Sequence, residues 1–351
     1  MTAPPAGLTV VSADPRTDSR WQTLTETAGS VFTSPQWIRA VCDSYGFIPQ
    51  ARMTLDRAGI ATNGFAWVPI EDINGRRLKS LPFSDRAEPI ISDLGAWPCL
   101  ADAAINDPAP ISIRCLAGAV PASDPRLEQV AEATWHGTVL DAPPDALHLS
   151  LHPSARKDIA LAHRKGVYVR ESSSLDAVRS FHAIHLSLRK NKYHLLAQSV
   201  ELFERIWEEF SGIEGIITLL AYSGDDPVAG GIFLGWRDTL YCKFAASLAD
   251  ALHVRPNYAV YWHALKWASE RGYRMVDWGL SDLDQPGLIA YKRKWADAES
   301  RIVTLRRPGP VPDRAVGSGR LLEDLTTLLT DEDVPDSITA RAGSLLYRYF
   351  A

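Results

Sequence analysis

The pattern of apolar and polar positions is clearest in the second half of the chain. From Leu175 to Leu188, apolar residues recur with the spacing of one helix face, whereas residues 228–236 form a β-rich run between two turns. The first predicted element of this half is a helix opened by Ser154, and a longer series of strands and helices follows it. Their order is β-α-α-β-β-β-α-β-α-β, with strands at 167–171, 215–222, 228–236, 239–247, 275–279 and 300–305 and helices from 174, 199, 257 and 288.

The first half predicts the same order of elements. Two copies of one α/β unit account for the length of the chain, and Pro143-Pro144 marks the joint between them. We therefore predict an α/β protein with domains at residues 1–145 and 146–308, each a mixed, mainly antiparallel sheet flanked by helices. In the first half the strands fall at 8–12, 51–55, 64–70, 76–81, 111–116 and 138–140, and the helices at 20–27, 35–45, 99–105 and after Asp124-Pro125.

Residues 309–351 begin with a Pro/Gly-rich linker and then show two amphipathic patterns. Because apolar helix faces usually pack within their own chain, we expect a packed helical cap rather than a pair of partner-binding helices. The apolar positions are Leu321, Leu322, Leu325, Leu328 and Leu329 in the first helix and Ile338, Ala342, Leu345, Leu346 and Tyr349 in the second.

Composition and charge narrow the class of protein. The 351 residues carry 37 basic and 42 acidic side chains, for a net charge of -5, and 46% are hydrophobic. No apolar run reaches the length of about 18 residues expected of a membrane span, and the N-terminus lacks a basic segment followed by an apolar one. The four cysteines have no CxxC spacing. We therefore expect a cytoplasmic enzyme or binding protein without a disulfide scaffold, a zinc module or a general affinity for DNA.

Several sequence segments are distinctive. Between residues 149 and 306 stand RKDIALAHRKGVYV, PVAGGIFLGWRDTLYCKFAAS, RPNYAVYWHALKWASERGYRMVDWGL and GLIAYKRKW, and the first half contains FTSPQWIRA and SLPFSD. These segments resemble the Fem family of aminoacyl-tRNA-dependent peptidyltransferases, whose fold is a tandem pair of GNAT-like acyltransferase domains. GLIAYKRKW is similar to the family signature Gly-Leu-x-x-Phe-Lys-x-x-Phe, with Tyr291 and Trp295 at the aromatic places and Lys292 as the lysine. The resemblance implies two GNAT-like domains, the second of them catalytic.

The turn before the helix at residue 257 departs from GNAT enzymes that use acyl-CoA. Those enzymes have a Gly-rich turn whose backbone N–H groups hold the pyrophosphate. Here the interval is SLADALHVRPNYA, which contains no glycine, and Pro256 lacks a backbone N–H. This departure weakens acetyl-CoA as the donor and favours aminoacyl-tRNA.

Three residues are candidates for catalysis. The resemblance implies that Lys292 lies beside the reacting ester, where its charge stabilises the carbonyl oxygen or the leaving sugar; the alternative is a solvated lysine on a basic helix. Tyr291 is expected to stack or pack at the same place. Asp277, at a strand end, either orients the nucleophilic amine and accepts its proton or bonds to the backbone. Lys294 is expected to point elsewhere and Trp295 to lie in the core.

Other residues are candidates for binding a phosphate-bearing substrate. Tyr241 and Lys243 alternate along one strand and are expected to share a face. Asn257 is expected to cap the following helix, with Arg255 beside it, where it can meet an anion, and Tyr258 in the first turn.

Three further basic residues complete the set. The resemblance implies that Arg39 and Arg189 hold acceptor phosphates in a groove at or near the interface of the two domains, since ligand clefts commonly lie between domains. Lys192 belongs to the same basic group as Arg189. A solvated charged face is the alternative for each of these clusters.

The resemblance implies a transferase that forms an amide between an aminoacyl group and an amine, which is a cell-wall precursor or a specialised metabolite. Aminoacyl-tRNA would be a co-substrate, and no further cofactor is expected. Two alternatives remain open: an N-acyltransferase that uses acyl-CoA or a carrier-protein thioester, and a non-catalytic protein that holds an anionic ligand. His148 and His152 lie in a strand-like LHLSLH run without an HExxH context, which argues against a metal site. No P-loop, Rossmann fingerprint or GxSxG motif is present.

Overall fold

The computed structural model describes residues 7–308 and 313–351, and the side chains of all of these except 313–316. The chain divides into two compact units. The first unit contains the residues up to Thr134 together with Ser300–Leu321 and Ala351, and the second contains Trp135–Glu299 and Leu322–Phe350. These limits differ from the sequence-predicted joints at 145 and 308 because the last strand of the chain completes the sheet of the first unit.

The first unit is a mixed sheet with helices. Its strand order is β1-β2-β3-β4-β5-β12, in which β4 and β5 run parallel and the other neighbouring pairs antiparallel. One face of the sheet packs on α3 through a core that includes Leu78, Ile111, Ile113 and Leu305. The elements are β1 Thr9–Ala13, α1 Ser19–Ala28, α2 Pro35–Tyr45, β2 Gln50–Leu55, β3 Ala61–Asp72, β4 Gly75–Lys79, α3 Ala96–Ile105, β5 Ile111–Leu116 and β12 Ala298–Arg306.

The second unit follows the predicted order of elements. Its strand order is β6-β11-β10-β9-β8-β7, in which β10 and β11 run parallel and β7 to β10 form antiparallel pairs. The elements are β6 Glu128–Val139, which enters from the first unit, then α4 Pro144–Ser150, α5 Pro153–Arg164, β7 Tyr168–Ser172, α6 Leu175–Asn191, α7 Val200–Ser211, β8 Ile216–Ser223, β9 Asp226–Trp236, β10 Thr239–Ser247, α8 Pro256–Glu270, β11 Met275–Asp282 and α9 Pro286–Lys292.

Helices cover both faces of the second unit's sheet. The core on one face includes Val260, Leu265 and Trp278 and joins the sheet to α5 and α8. On the other face, α6 and α7 pack through Phe203, whose ring lies 4.5 Å from that of Phe244. The strands are therefore apolar on both sides, as expected for a sheet between two helical layers.

Local sequence signals explain most helix ends. The hydroxyl of Ser174 accepts a hydrogen bond from the backbone N–H of Ala177 and begins α6, and Ser199 begins α7 in the same way. Gly166 follows α5 with a φ of 77°, the left-handed conformation that ends helices. The cap predicted at Ser154 is wrong, because α5 begins one residue earlier and the ring of His152 accepts from the backbone N–H of Ser154.

Two predicted elements are wrong. The helix expected after Asp124 is replaced by the 12-residue strand β6, because the carboxylate of Asp124 accepts hydrogen bonds from the Trp97 indole and from Arg126 instead of capping a first helical turn. The strand-like run around His148 is the short helix α4, where the His148 ring lies 4.9 Å from that of Trp262. Among the described residues, no group of His, Cys, Asp or Glu is arranged to hold a metal ion.

The C-terminal residues form the helices α10 Asp313–Leu329 and α11 Asp336–Leu346. Residues 309–312 of the predicted linker lie outside the described residues, and α10 begins within the rest of that segment. The expected packing holds only in part: Leu322 is buried, whereas Leu328 and Leu345 are 64% and 55% exposed. No helix among the described residues is long and apolar enough to cross a membrane.

Candidate active site

The sheet of the second unit opens between β10 and β11. These strands pair only from Thr239 and Met275 to Tyr241 and Asp277, although both continue for several residues beyond that point. A β-bulge at Lys243 interrupts the pairing of β10 with β9 just where the opening begins. In β11, Gly279 has a φ of 71° and bends the strand. The two distortions together separate the strand ends and leave room for a ligand.

A cavity of about 460 Å³ lies at the C-terminal end of β10. The ends of α6 and β10 and the beginnings of α8 and α9 form its walls. Its lining is mixed, with apolar, aromatic and cationic side chains, as is usual for sites that hold an organic ligand. The residues that line it are Leu188, Lys192, Tyr193, Ala245, Ala246, Ser247, Leu252, Arg255, Pro256, Asn257, Tyr258, Tyr261, Gly287, Leu288 and Tyr291.

Three tyrosines form one wall of this cavity. Tyr258 lies 5.3 Å from Tyr291 and Tyr261 lies 5.4 Å from it, ring centre to ring centre. Behind them, Trp278 stacks on Tyr261 at 4.6 Å and the buried Trp295 completes the cluster. Burial raises the pKa of both Tyr261 and Tyr291 well above the ordinary value, so their hydroxyls stay protonated at neutral pH.

Two cationic residues, Lys192 and Arg255, line the same cavity, and a third, Lys294, contacts its tyrosine wall without lining it. The ammonium of Lys294 donates to the hydroxyl of Tyr258 at 3.0 Å. Arg255 forms an ion pair with Asp158 at 3.4 Å, and Lys192 lies 5.2 Å from the ring of Tyr193. Because an ammonium only donates, Tyr258 accepts this bond and keeps its own hydroxyl hydrogen for another partner.

The turn between β10 and α8 is a short 3-10 helix, Asp250–Val254. The backbone N–H groups of Leu252, Arg255 and Tyr258 donate to carbonyl groups within this turn. Arg255 has a φ of 59°, a left-handed conformation that is unusual for arginine. Three of the amides in this position are therefore already engaged.

Comparison with known proteins agrees with this architecture. Residues 154–293 match the family model described as an acetyltransferase (GNAT) domain. This match falls within the second unit, which therefore contains a domain similar to GNAT acetyltransferases, called the GNAT domain below. No curated protein sequence matches the chain.

Solved structures extend the comparison to most of the chain. The crystal structure of FemX is 14% identical in sequence, with a TM-score of 0.67 over 88% of this chain and 98% of FemX. The C-terminal domain of a putative lysylphosphatidylglycerol synthetase from Agrobacterium fabrum is 13% identical, with a TM-score of 0.57 over 87% and 96% of the two chains. L-PGS from Bacillus licheniformis is 12% identical, with a TM-score of 0.54 over 90% and 97%. The protein thus has the Fem-like tandem GNAT fold that the sequence motifs predicted.

Within the GNAT domain, the two lysines of the KRK segment occupy different environments. Lys292 is 6% exposed and donates to the carbonyl oxygens of Gly279 and Leu280 at 3.2 and 2.8 Å, beyond the point where β11 leaves β10. It does not line the cavity, whereas Lys294 reaches the tyrosine wall. Lys294 thus points elsewhere than Lys292, as expected, although the reason is not helix geometry: α9 ends at Lys292 and the chain turns before Lys294.

Two other candidates have backbone contacts. The carboxylate of Asp277 is 2% exposed and accepts from the backbone N–H of Gly279 at 2.7 Å, so it holds the bend in β11. Asn257 is not the cap of α8, because the helix begins at Pro256; its amide donates to the hydroxyl of Ser247 instead. This bond ties α8 to the end of β10 at the cavity.

The bulge in β10 changes the expectation for Tyr241 and Lys243. The two residues were expected to share a face by alternation, but the bulge at Lys243 breaks that alternation. Cys242 packs in the core on the α8 side, whereas Phe244 packs on α6 and α7. The Lys243 ammonium lies 5.6 Å from the Phe244 ring, and Tyr241 is buried. Neither lines the cavity.

The two arginines inferred from the resemblance have local partners. Arg39, on α2 of the first unit, donates to the backbone carbonyl of Arg16 at 2.7 Å. Arg189, near the end of α6, donates to the carbonyl of Leu196 at 2.9 and 3.1 Å and holds the loop that follows Lys192. Their role as phosphate contacts stays a prediction.

Sequence analysis missed Tyr261 as a cavity residue and Lys294 as the hydrogen-bond partner of Tyr258. Tyr258 and Tyr261 are three residues apart on α8, a spacing that places both on one helix face, and this signal was available. The position of Lys294 depends on where α9 ends, which the periodicity of the sequence does not reveal.

Proposed function

We propose that the GNAT domain transfers an aminoacyl group from aminoacyl-tRNA to an amine acceptor and forms an amide bond. The observation that carries this proposal is the cavity, in which a tyrosine wall and cationic side chains adjoin a turn whose amides are already engaged. The acceptor is an amine of a cell-wall precursor or of a specialised metabolite.

The lining of the cavity supports an RNA-bound donor over acyl-CoA. The tyrosines can stack on the terminal base of the RNA, since aromatic side chains bind unpaired bases in this way. Lys192 and Arg255, at the same cavity, supply charge for the adjoining phosphates. Acyl-CoA would instead need free backbone N–H groups at the turn before α8, where the amides of Leu252 and Arg255 have partners.

The chemistry requires one bond to form and one to break. The neutral amine attacks the ester carbonyl and gives a tetrahedral oxyanion; the ester C–O bond then breaks, and the amine's proton passes to the departing ribose hydroxyl. In this proposal Tyr258 donates its hydroxyl hydrogen to the oxyanion, while Lys294 donates to the same hydroxyl oxygen at 3.0 Å. Lys292, by the resemblance, adds positive charge near the reacting ester, and Asp277 keeps β11 in the bent shape that the opening needs.

The test is transfer from labelled aminoacyl-tRNA to candidate amines with the full chain. We expect amide formation that is abolished by ribonuclease and lowered about 10²-fold or more by Tyr258→Phe. Tyr222→Phe is the matched control, because Tyr222 stacks on Tyr168 away from the cavity. Transfer that resists ribonuclease and requires a CoA or carrier-protein thioester would contradict the choice of donor. Binding of an anionic ligand without any turnover would indicate a non-catalytic protein.

A further inference from the structure

The first unit carries a cluster of cationic side chains on one face of its sheet. Lys79 on β4 is paired with Ser112 on β5, and Ser112 is paired with Arg306 on β12. Arg114 lies two residues beyond Ser112 on β5 and is paired with Thr304. This site belongs to the first unit and does not depend on the function proposed above.

Strand alternation places these side chains on one face. Their neighbours Leu78, Ile113 and Leu305 point into the core against α3, so Lys79, Arg114 and Arg306 point away from it. With strands about 4.8 Å apart, the Cα atoms of Lys79 and Arg306 are about 10 Å apart, on either side of β5. Lysine and arginine side chains are long enough to converge on one group across this distance.

The cluster has no acidic partner among the residues whose side chains the structure describes. Within residues 7–308 and 317–351, whose side chains the structure describes, none of these three side chains forms an ion pair or a side-chain hydrogen bond. Arg77 lies nearby, but its guanidinium already holds the carboxylate of Asp72 at 2.7 Å and the carbonyl of Ala351.

Electrostatics at Lys79 agrees with this arrangement. Burial, followed by the charges of Arg114, Arg77 and Arg306, lowers the pKa of Lys79 to about 8. The charged groups that lower the pKa of Lys79 are all cations, as the placement of Arg114 and Arg306 on the same face predicts.

We propose that Lys79, Arg114 and Arg306 form a binding site for the phosphate group of a soluble phosphate ester or diphosphate. Two guanidinium groups and one ammonium supply directed N–H donors together with a charge that matches a phosphate dianion. Ser112 lies between them and adds a hydroxyl on the same face. Lys79 lies below the protein surface, so only an individual phosphate group can reach its ammonium. This favours a soluble phosphate over the headgroups of a flat bilayer.

Calorimetric titration of the full chain with inorganic pyrophosphate tests the site. We expect affinity to fall about tenfold or more in both Arg114→Gln and Arg306→Gln, since each removes charge-assisted hydrogen bonds to the anion. Arg301→Gln is the matched control, because Arg301 lies on the same strand but is exposed and pairs with Glu132. Arg255→Gln reports separately on pyrophosphate bound in the cavity of the GNAT domain.

Lys79 provides a second, local readout. Acetic anhydride labelling near pH 8, followed by mass spectrometry, measures the neutral fraction of its amine. Bound pyrophosphate should raise the pKa of Lys79 and slow its acetylation several-fold, and Arg114→Gln should remove this protection, while Lys266, which is half-exposed on α8, serves as the unprotected reference.

Two results would overturn the proposal. One is equal pyrophosphate affinity and equal Lys79 acetylation in the Arg114→Gln, Arg306→Gln and Arg301→Gln variants. The other is protection of Lys79 by phosphatidylglycerol vesicles but not by pyrophosphate, which would identify a lipid headgroup instead of a soluble phosphate.

Discussion

Replacing Lys292 and Lys294 of the KRK segment by methionine, one at a time, distinguishes an effect on the stability of the GNAT domain from an effect on the rate of transfer. The ammonium of Lys292 is 6% exposed and donates to two carbonyl oxygens of β11, so Lys292→Met leaves both without that donor. An unsatisfied buried polar group costs about 1–3 kcal/mol. Because one carbonyl is only half-buried, we expect the free energy of unfolding to fall by about 2–4 kcal/mol.

Lys294→Met should cost less stability and act mainly on the rate. Lys294 is half-buried and donates its hydrogen bond to Tyr258, so the loss of stability should stay near 0.5–1 kcal/mol, about that of one hydrogen bond. If Tyr258 and Lys294 stabilise the oxyanion, turnover should fall about 10²–10³-fold, equivalent to roughly 3–4 kcal/mol of transition-state stabilisation.

Urea unfolding followed by tryptophan fluorescence, together with single-turnover transfer, measures both quantities on the same samples. The decisive comparison is between the two variants, each scored for stability and for rate. Unchanged unfolding of Lys292→Met with turnover lost at that position alone would refute this reasoning. It would show that Lys292 acts on the reacting ester without stabilising β11, and that Lys294 has no part in the transfer.

Three further predictions concern stability. Burial lowers the pKa of His185 to about 3, from an ordinary value of 6.5. Between these two pH values the unfolded chain binds a proton at this histidine and the folded chain does not, so acid destabilises the native protein. The difference in stability between the native chain and His185→Gln should therefore narrow by about 3 kcal/mol as pH falls from 7 to 4. A pH-independent difference would contradict this. Gly230→Ala should cost about 1–3 kcal/mol, because its Cβ would lie 2.7 Å from the carbonyl oxygen of Leu219, whereas Gly212→Ala, which meets open space, should unfold close to the native midpoint. Lys190→Met should cost about 1–2 kcal/mol and loosen α11, because the Lys190 ammonium holds the carboxylate of Asp336 at 2.8 Å; unchanged proteolysis of α11 would argue against it.

The order of helices and strands could be predicted because each depends on a local pattern. Ser174 with the apolar stripe after it defines α6, and the SGDD turn separates two apolar strands, whatever the rest of the chain does. The failure after Asp124 has a distant cause: its carboxylate binds the indole of Trp97, a partner 27 residues away that no local pattern reveals.

The candidate site was harder to predict for the same reason. Tyr291 of the motif segment lines the cavity, and spacing along α9 decides that position. The roles of Lys292 and Lys294 depend on where α9 ends, and the side on which Lys243 falls depends on a bulge in β10. Both are irregularities of the backbone, and the sequence encodes them only through contacts with other elements.

The pairing of β12 with β5 has a consequence for how the chain folds during synthesis. The first unit lacks its last strand until Ile302–Arg306 has emerged from the ribosome, which is roughly 190 residues, or about 10–40 s, after Leu116. Until then the edge of β5 has open N–H and C=O groups that can recruit a strand from another chain. Almost all of the GNAT domain must therefore be translated before the sheet of the first unit can be completed. A fragment that ends after the first half would leave the edge of β5 unpaired.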